Sequence, residues 1–154
     1  MVGMFRALRR IVETYPDVLA VCPLHPSPEV RRVAGEILIG CERIRVIEPP
    51  ETVSFHRLLA KSYLVLTDSG GIQEETTALG VPTLVMRYST ERTEGIRAGC
   101  LRLAGSGEQG IVQAASRLLD EGSEEYAAMK RPSRVFGDGR ASVRIVNILE
   151  RLLR

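Results

Sequence analysis

The chain has 154 residues, enough for one domain that buries on the order of two thirds of its unfolded surface. With 44% hydrophobic and 26% charged residues it sits near the averages of soluble globular domains, which excludes disorder, collagen-like repeats and membrane residence. The formal net charge is +2, the arginines are spread along the chain, and aromatic residues make up 5% with no Trp. Nucleic acid is therefore excluded as a partner, because there is neither a basic block for phosphates nor a set of platforms for bases.

In chain order, the N-terminal MVGMFRALRR has no apolar signal core, and Met4, Phe5, Leu8, Ile11 and Val12 make a helical stripe. A β-like run follows at 18–24 (VLAVCPL), then a helical stripe of Val30, Val33, Ile37 and Leu38, then a second run at 44–47 (IRVI). A short helix at 53–60 precedes a third run at 63–67 (YLVLT), and another at 72–79 is stopped by Gly80 and Pro82. Runs at 83–86 (TLVM) and 100–104 (CLRLA) complete five candidate strands, and helices are predicted at 107–120, 123–130 and 141–153. The strands are apolar on both faces rather than alternating, as parallel strands covered by helices are. The predicted class is α/β, a Rossmann-like parallel sheet sandwiched by helices. Without internal repeat or linker, residues 1–154 read as a single domain. The last helix puts Ile145, Ile148, Leu149, Leu152 and Leu153 on one face, which is either core or a docking face for another domain.

Cys22, Cys41 and Cys100 are scattered and odd in number, which points to a reducing compartment, the cytoplasm, and to small buried hydrophobes. The only histidines are His25 and His56, and no CxxC or HxxxH spacing occurs, so no metal or cofactor is expected. No run approaches the roughly 18 apolar residues of a spanning helix, so no membrane partner is expected either. His56 reads as part of a polar helix face, and Asp138, flanked by Gly137 and Gly139, as the setter of a turn into the last helix.

The stretch with most chemical content is TDSGGIQEE, residues 67–75. Ligands of open α/β sheets sit beyond the carboxyl ends of strands, where a loop leads into a helix N-terminus. Here the run YLVLT ends, Ser69, Gly70 and Gly71 let the backbone approach a ligand, and the new helix offers unpaired N–H groups. Glu75 lies six residues beyond Ser69, about 9 Å along a helix axis, the span from a diphosphate to a ribose diol. A carboxylate accepts hydrogen bonds from both ribose hydroxyls, and Asp68 is placed to orient the loop. The plainer alternative is a helix start with favourable first-turn carboxylates. A second polar loop, Ser89, Thr90, Glu91 and Arg92, follows the next strand on the same sheet edge, and Arg92 is a candidate phosphate partner.

TDSGGIQEE, followed by ALGVPTLVMR, STER, EG and AG, resembles the C-terminal half of the non-hydrolysing UDP-N-acetylglucosamine 2-epimerases, whose pattern reads LTDSGGIQEE, LGxPxLVxRxxTERPE, AGxxxLVG. The likeness extends back through HPSPEVR, similar to the family's HxNP segment, and forward to FGDGRASVRIV, similar to its YGDGxAxxRI. The resemblance implies a two-domain fold like that of GT-B glycosyltransferases, with this chain equivalent to the C-terminal, UDP-binding domain. It implies that Ser69, Gly70 and Gly71 hold the diphosphate, Glu75 the ribose and Arg92 a phosphate, that Phe55 borders the uracil, and that His25 lies near a second, regulatory UDP-sugar site. Tyr88 and Thr93 depart from the pattern's usual Asp and Pro, so the second loop is differently shaped. The family's HRREN segment and N-terminal domain, which supplies the acid and base carboxylates, are not among these residues. No catalytic residue is therefore assigned.

The family reaction interconverts UDP-N-acetylglucosamine and UDP-N-acetylmannosamine by removing the C2 proton, expelling UDP to leave a 2-acetamidoglucal, and re-adding UDP. The implied partners are UDP or a UDP-N-acetylhexosamine and an N-terminal domain supplied by a separate polypeptide or an unbroken parent gene. The alternatives are a non-catalytic UDP-binding remnant, or a fragment of a GT-B glycosyltransferase, which SGGIQEE and STER fit less well.

Overall fold

The computed structural model describes residues 1–153. Helix α1 (Val2–Thr14) leads into β1 (Ala20–Pro23), α2 (Pro28–Leu38), β2 (Ile44–Ile47), α3 (Thr52–Lys61) and β3 (Val65–Thr67). Then come α4 (Gly70–Leu79), β4 (Thr83–Val85), α5 (Thr93–Arg97), β5 (Leu101–Leu103), α6 (Glu108–Leu119), α7 (Glu124–Met129) and α8 (Ala141–Leu152). All strand pairs are parallel. The α/β class predicted from the apolar runs is the one observed, with five strands at the predicted places, β2 over the predicted residues and the other four shorter. They hydrogen-bond as two groups, β1 with β2 and β3–β4–β5, rather than as one ladder.

Helix α1 joins the two groups because its apolar residues point two ways. Ala7 and Ile11, four apart and so on one face, pack with Leu84 of β4 and with Ile111, Ala115 and Leu118 of α6. Val12, one step round the helix, packs with Leu24, Ala34, Leu38 and Ile44 against α2 and the β1–β2 pair. Ile111, Ala115 and Leu118 form one fully buried face of α6, and each large side chain there contributes roughly 1.5–3 kcal/mol of transfer free energy. A third cluster, Leu59, Val65 and Val81 with Phe55 and Ile72 against it, fastens α3 to α4.

Coverage of the strands is uneven. β4 is buried along its length, as a central parallel strand should be. On β1 and β2 the expected cover on both faces is lacking: Val21 and its register partner Arg45 face solvent. Helices α1 and α2 pack only on the other side.

Helix α4 ends at Gly80, whose φ of 73° lies in the left-handed region. A β-carbon there would also sit 2.6 Å from the Pro132 nitrogen, because the chain after α7 crosses this helix end, with Ser133 N–H donating to the Thr77 carbonyl. Only glycine meets both conditions. Helix α5 is a short element in a stretch to which the sequence reading assigns no helix or strand, too short for any apolar period to mark it.

Helix α8 buries no residue: Ile145, Ile148 and Leu149 are each half exposed, and Leu152 is 75% exposed. Of the two alternatives for this stripe, the core of these residues is thus not the one observed. Its start is set by Asp138, as the sequence suggests. That carboxylate accepts from the Arg140 amide at 3.1 Å and from Arg144 at 2.9 and 2.6 Å. Arg144 above all, and then the Arg140 amide, hold the Asp138 carboxyl below its ordinary range. Among the described residues no helix is long and apolar enough to cross a membrane.

Candidate functional site

The loop after β3 is shaped by the strand's last residue. Thr67 Oγ1 accepts the Ser69 amide at 3.1 Å. Asp68, expected to orient this loop, is exposed and its side chain makes no hydrogen bond among the described residues, so the role belongs to Thr67. Ser69 is the N-cap of α4, with extended backbone (φ −81°, ψ 132°), and its hydroxyl makes no capping bond. The amides of Gly70, Gly71 and Ile72 precede the first available helical acceptor, so they and the Ser69 hydroxyl point their hydrogen-bonding capacity out of the helix end. A β-carbon on Gly71 would meet nothing within 4 Å, so this face of the loop is open.

Beneath the loop lies Gln73, a polar side chain at 0% exposure. Its amide nitrogen donates to the Ser69 carbonyl at 3.1 Å, and its amide oxygen accepts from Thr90 Oγ1 at 2.7 Å. The same Thr90 oxygen accepts the Arg92 amide at 3.1 Å. This chain of bonds ties the two polar loops together and explains why a glutamine tolerates full burial: both ends of its amide are partnered.

The result is to bring Arg92 over the glycine loop. Its Nε donates to Glu74 at 2.8 Å and its Nη1 to Glu91 at 2.8 Å. A β-carbon at Gly70 would lie 3.2 Å from the Arg92 Cζ, 3.3 Å from Nη2 and 3.3 Å from Glu91 Oε1, so Gly70 is the close-approach glycine, and Nη2 stands at the loop together with a carboxylate oxygen of Glu91. Among the described residues Nη2 has no hydrogen-bond partner. Glu91 also approaches Arg87 at 3.6 Å. The residue's own backbone N–H, donating to the carboxylate, and then Arg92 and Arg87 hold the Glu91 carboxyl below its ordinary range. The lone loop arginine of the sequence is thus half committed to carboxylates and half directed at the helix start.

Helix α3 supplies the other wall. Phe55 packs beside Ile72 of α4 in the third apolar cluster, and His56 places Nε2 3.3 Å from Glu75 Oε2. Ser69, Gly70, Gly71, Glu75, Arg92 and Phe55 therefore share one end of α4 and the elements touching it. His25 is not tied to this group. It stands in the loop after β1, where its Nδ1 accepts the Ser27 amide at 3.2 Å and shapes the entry to α2. The sequence names Thr90 only as part of the second polar loop and gives no role to Gln73 or to the Thr67 hydroxyl; Gln73 reads as ordinary helix surface because its partner Thr90 lies on another element.

A family model described as UDP-N-acetylglucosamine 2-epimerase matches residues 1–150. The UDP-N-acetylglucosamine 2-epimerase of Bacillus subtilis (strain 168) is 48% identical over 149 residues, covering 97% of this chain and 39% of the relative. A solved structure described as an S. aureus MnaA–UDP co-structure superposes with a TM-score of 0.93 at 45% identity, over 99% of this chain and 40% of that one. The UDP-GlcNAc 2-epimerase from Neisseria meningitidis, bound to UDP-GlcNAc, superposes with a TM-score of 0.91 at 38% identity, over 97% and 41%. The chain thus spans about two fifths of the length of the relatives it matches. Across that length it belongs to the UDP-N-acetylglucosamine 2-epimerase family.

Proposed function

We propose that this chain is the UDP-binding part of an enzyme that interconverts UDP-N-acetylglucosamine and UDP-N-acetylmannosamine. The observation that carries the reading is the convergence, at the start of α4, of outward amides, the Ser69 hydroxyl and the Nη2 of Arg92 on one open loop. Donors and positive charge of this kind suit a diphosphate. In this reading Ser69, Gly70 and Gly71 hold the phosphate oxygens and Arg92 offsets their charge. Glu75 accepts from the ribose hydroxyls, and Phe55 borders the uracil. The S. aureus and N. meningitidis proteins, described as bound to UDP and to UDP-GlcNAc, support the ligand class. A second UDP-sugar site at His25 has less support, because Nδ1 is already engaged by Ser27 and only Nε2 is left for a ligand.

The carboxylates near the loop do not suit proton transfer at C2. Glu74 is paired with Arg92, Glu91 with Arg92 and Arg87, and Glu75 faces His56. A general acid or base must reach the proton it moves, and we assign that role to the part of the relatives' length that this chain does not span. That part is either a separate polypeptide or the remainder of one continuous chain, and the exposed apolar face of α8 gives it a surface to pack on. Free cysteines at positions 22, 41 and 100 fit a cytoplasmic setting. The pathway served is that of cell-envelope polysaccharide precursors.

The test is to incubate this chain with UDP-N-acetylglucosamine in heavy water while titrating UDP calorimetrically. Saturable UDP binding that Glu75→Ala weakens, with no deuterium entering C2, is expected. Deuterium exchange at C2 by this chain alone would show that it holds its own base and overturn the division of labour proposed.

A further inference from the structure

Two adjacent glutamates of α4 meet different fates. Glu74 is held by Arg92 Nε at 2.8 Å in a directed hydrogen bond. Among the described residues Glu75 has no Arg or Lys within 4 Å, and the ionisable group paired with it is His56 on α3, Nε2 to Oε2 at 3.3 Å. Among the described residues Oε2 of Glu75 is buried and accepts no hydrogen bond, although the His56 ring nitrogen lies 3.3 Å away. A buried carboxylate oxygen without a donor is costly, and a modest rotation of the half-exposed imidazole removes that cost. Helix α3 is fastened to α4 immediately beside this pair by Phe55, Leu59 and Ile72, so the imidazole is carried on a fixed wall rather than on a loose loop.

We propose that His56 is a positioning residue for nucleotide recognition: it holds Oε2 of Glu75 and thereby presents Oε1 to the ribose diol, so that this enzyme part distinguishes ribose from deoxyribose through a His56–Glu75 pair. The inference rests on the reading of Glu75 as the ribose carboxylate. It differs from that reading in assigning a specificity role to a side chain that does not itself touch the ligand. One carboxylate oxygen fixed from behind leaves the other with a defined direction, and a hydroxyl is discriminated strongly only by an acceptor that is already in place.

The experiment is calorimetric titration of the full chain and of the His56→Ala, His56→Gln, Glu75→Ala and double His56→Ala/Glu75→Ala variants with UDP and with 2′-deoxy-UDP, each variant first checked by its thermal melt. The expected result is that His56→Ala weakens UDP binding about fivefold to tenfold, weakens 2′-deoxy-UDP binding much less, and adds nothing in the Glu75→Ala background. His56→Gln, which keeps a side-chain N–H donor, restores most of the ribose preference and keeps the test available if the alanine variant misfolds. If Glu75→Ala abolishes the preference while His56→Ala and His56→Gln both leave it intact, the site reading stands and the role given to His56 is wrong. If UDP does not bind, or Glu75→Ala leaves its affinity unchanged, the site reading fails and takes this inference with it.

Discussion

Helices α4 and α8 invert the usual relation between polarity and burial. α4 carries Gln73, Thr76 and Thr77, all at 0% exposure, the first two with partnered side chains and Thr77 with a hydroxyl that has no partner among the described residues. α8 carries Ile145, Ile148, Leu149 and Leu152, all half exposed or more. The difference is one of hydrogen-bond accounting and of neighbours rather than of hydrophobicity. Gln73 is buried because Ser69 and Thr90 satisfy its amide, and Thr76 because its hydroxyl donates to the Ile72 carbonyl at 2.9 Å. α8 is exposed because no element of these residues presents an apolar face to it. A polar interior of this kind links two loops that must keep a fixed geometry, whereas an apolar exterior marks a surface whose partner lies elsewhere.

The comparison breaks most sharply at Gln73. Gln73→Ala removes two side-chain hydrogen bonds and opens space at full burial. It should lower unfolding free energy by about 3 kcal/mol, measured by urea denaturation, and should weaken UDP binding, since Thr90 and Arg92 lose their anchor. A Gln73→Ala variant as stable as the parent would mean that the buried amide is not what joins the loops. Gly80→Ala comes next. The left-handed backbone and the Pro132 nitrogen 2.6 Å from the new β-carbon should together cost about 2–3 kcal/mol in the same measurement.

On the exposed helix the effects shrink. Ile148→Lys should shift stability by no more than about 0.5 kcal/mol, and removing residues 141–154 should leave the melting temperature of the remainder nearly unchanged. A large loss from either would show that α8 packs on its own chain. Smallest is the response to acid of the Asp138 turn that leads into it. The Asp138 carboxyl titrates lower in the folded chain than in the unfolded one. Its contribution is therefore complete above the ordinary carboxylate range and is lost as pH falls through that range to the lowered folded value. Backbone chemical shifts of α8 followed through an acid titration should report fraying there, ahead of change in α4.

Much of the first helix of the pair was readable in advance, and for a physical reason. A glycine pair after a β-branched run signals a close backbone approach at a strand-to-helix junction, and Ser69, Gly70 and Gly71 do form the start of α4, with Glu75 further along the same helix. Arg92 was legible as a cation near the loop but not as one shared with Glu74 and Glu91, since that pairing depends on how β4 and β3 bring two loops together. Gln73 and Thr90 were illegible because a polar side chain announces burial only through its partners, which lie seventeen residues apart. His56 read as polar helix surface because its meaning comes from α3 packing on α4, a tertiary contact. For α8 the stripe was plain and its destination was not, because periodicity reports that a face is apolar and says nothing of what covers it.

The measurement that bears most directly on the nucleotide seat is a titration of the isotopically labelled chain with UDP, following backbone amides and arginine Nε–H groups by two-dimensional NMR. The expected result is saturable shifts concentrated at Ser69, Gly70, Gly71 and Ile72 and at Arg92 Nε, with α8 unmoved. Saturable shifts centred instead on the apolar groove between α2 and β2, at Leu24, Arg31 and Glu48, or no shifts at millimolar UDP, would contradict the assignment of the α4 terminus as the diphosphate site.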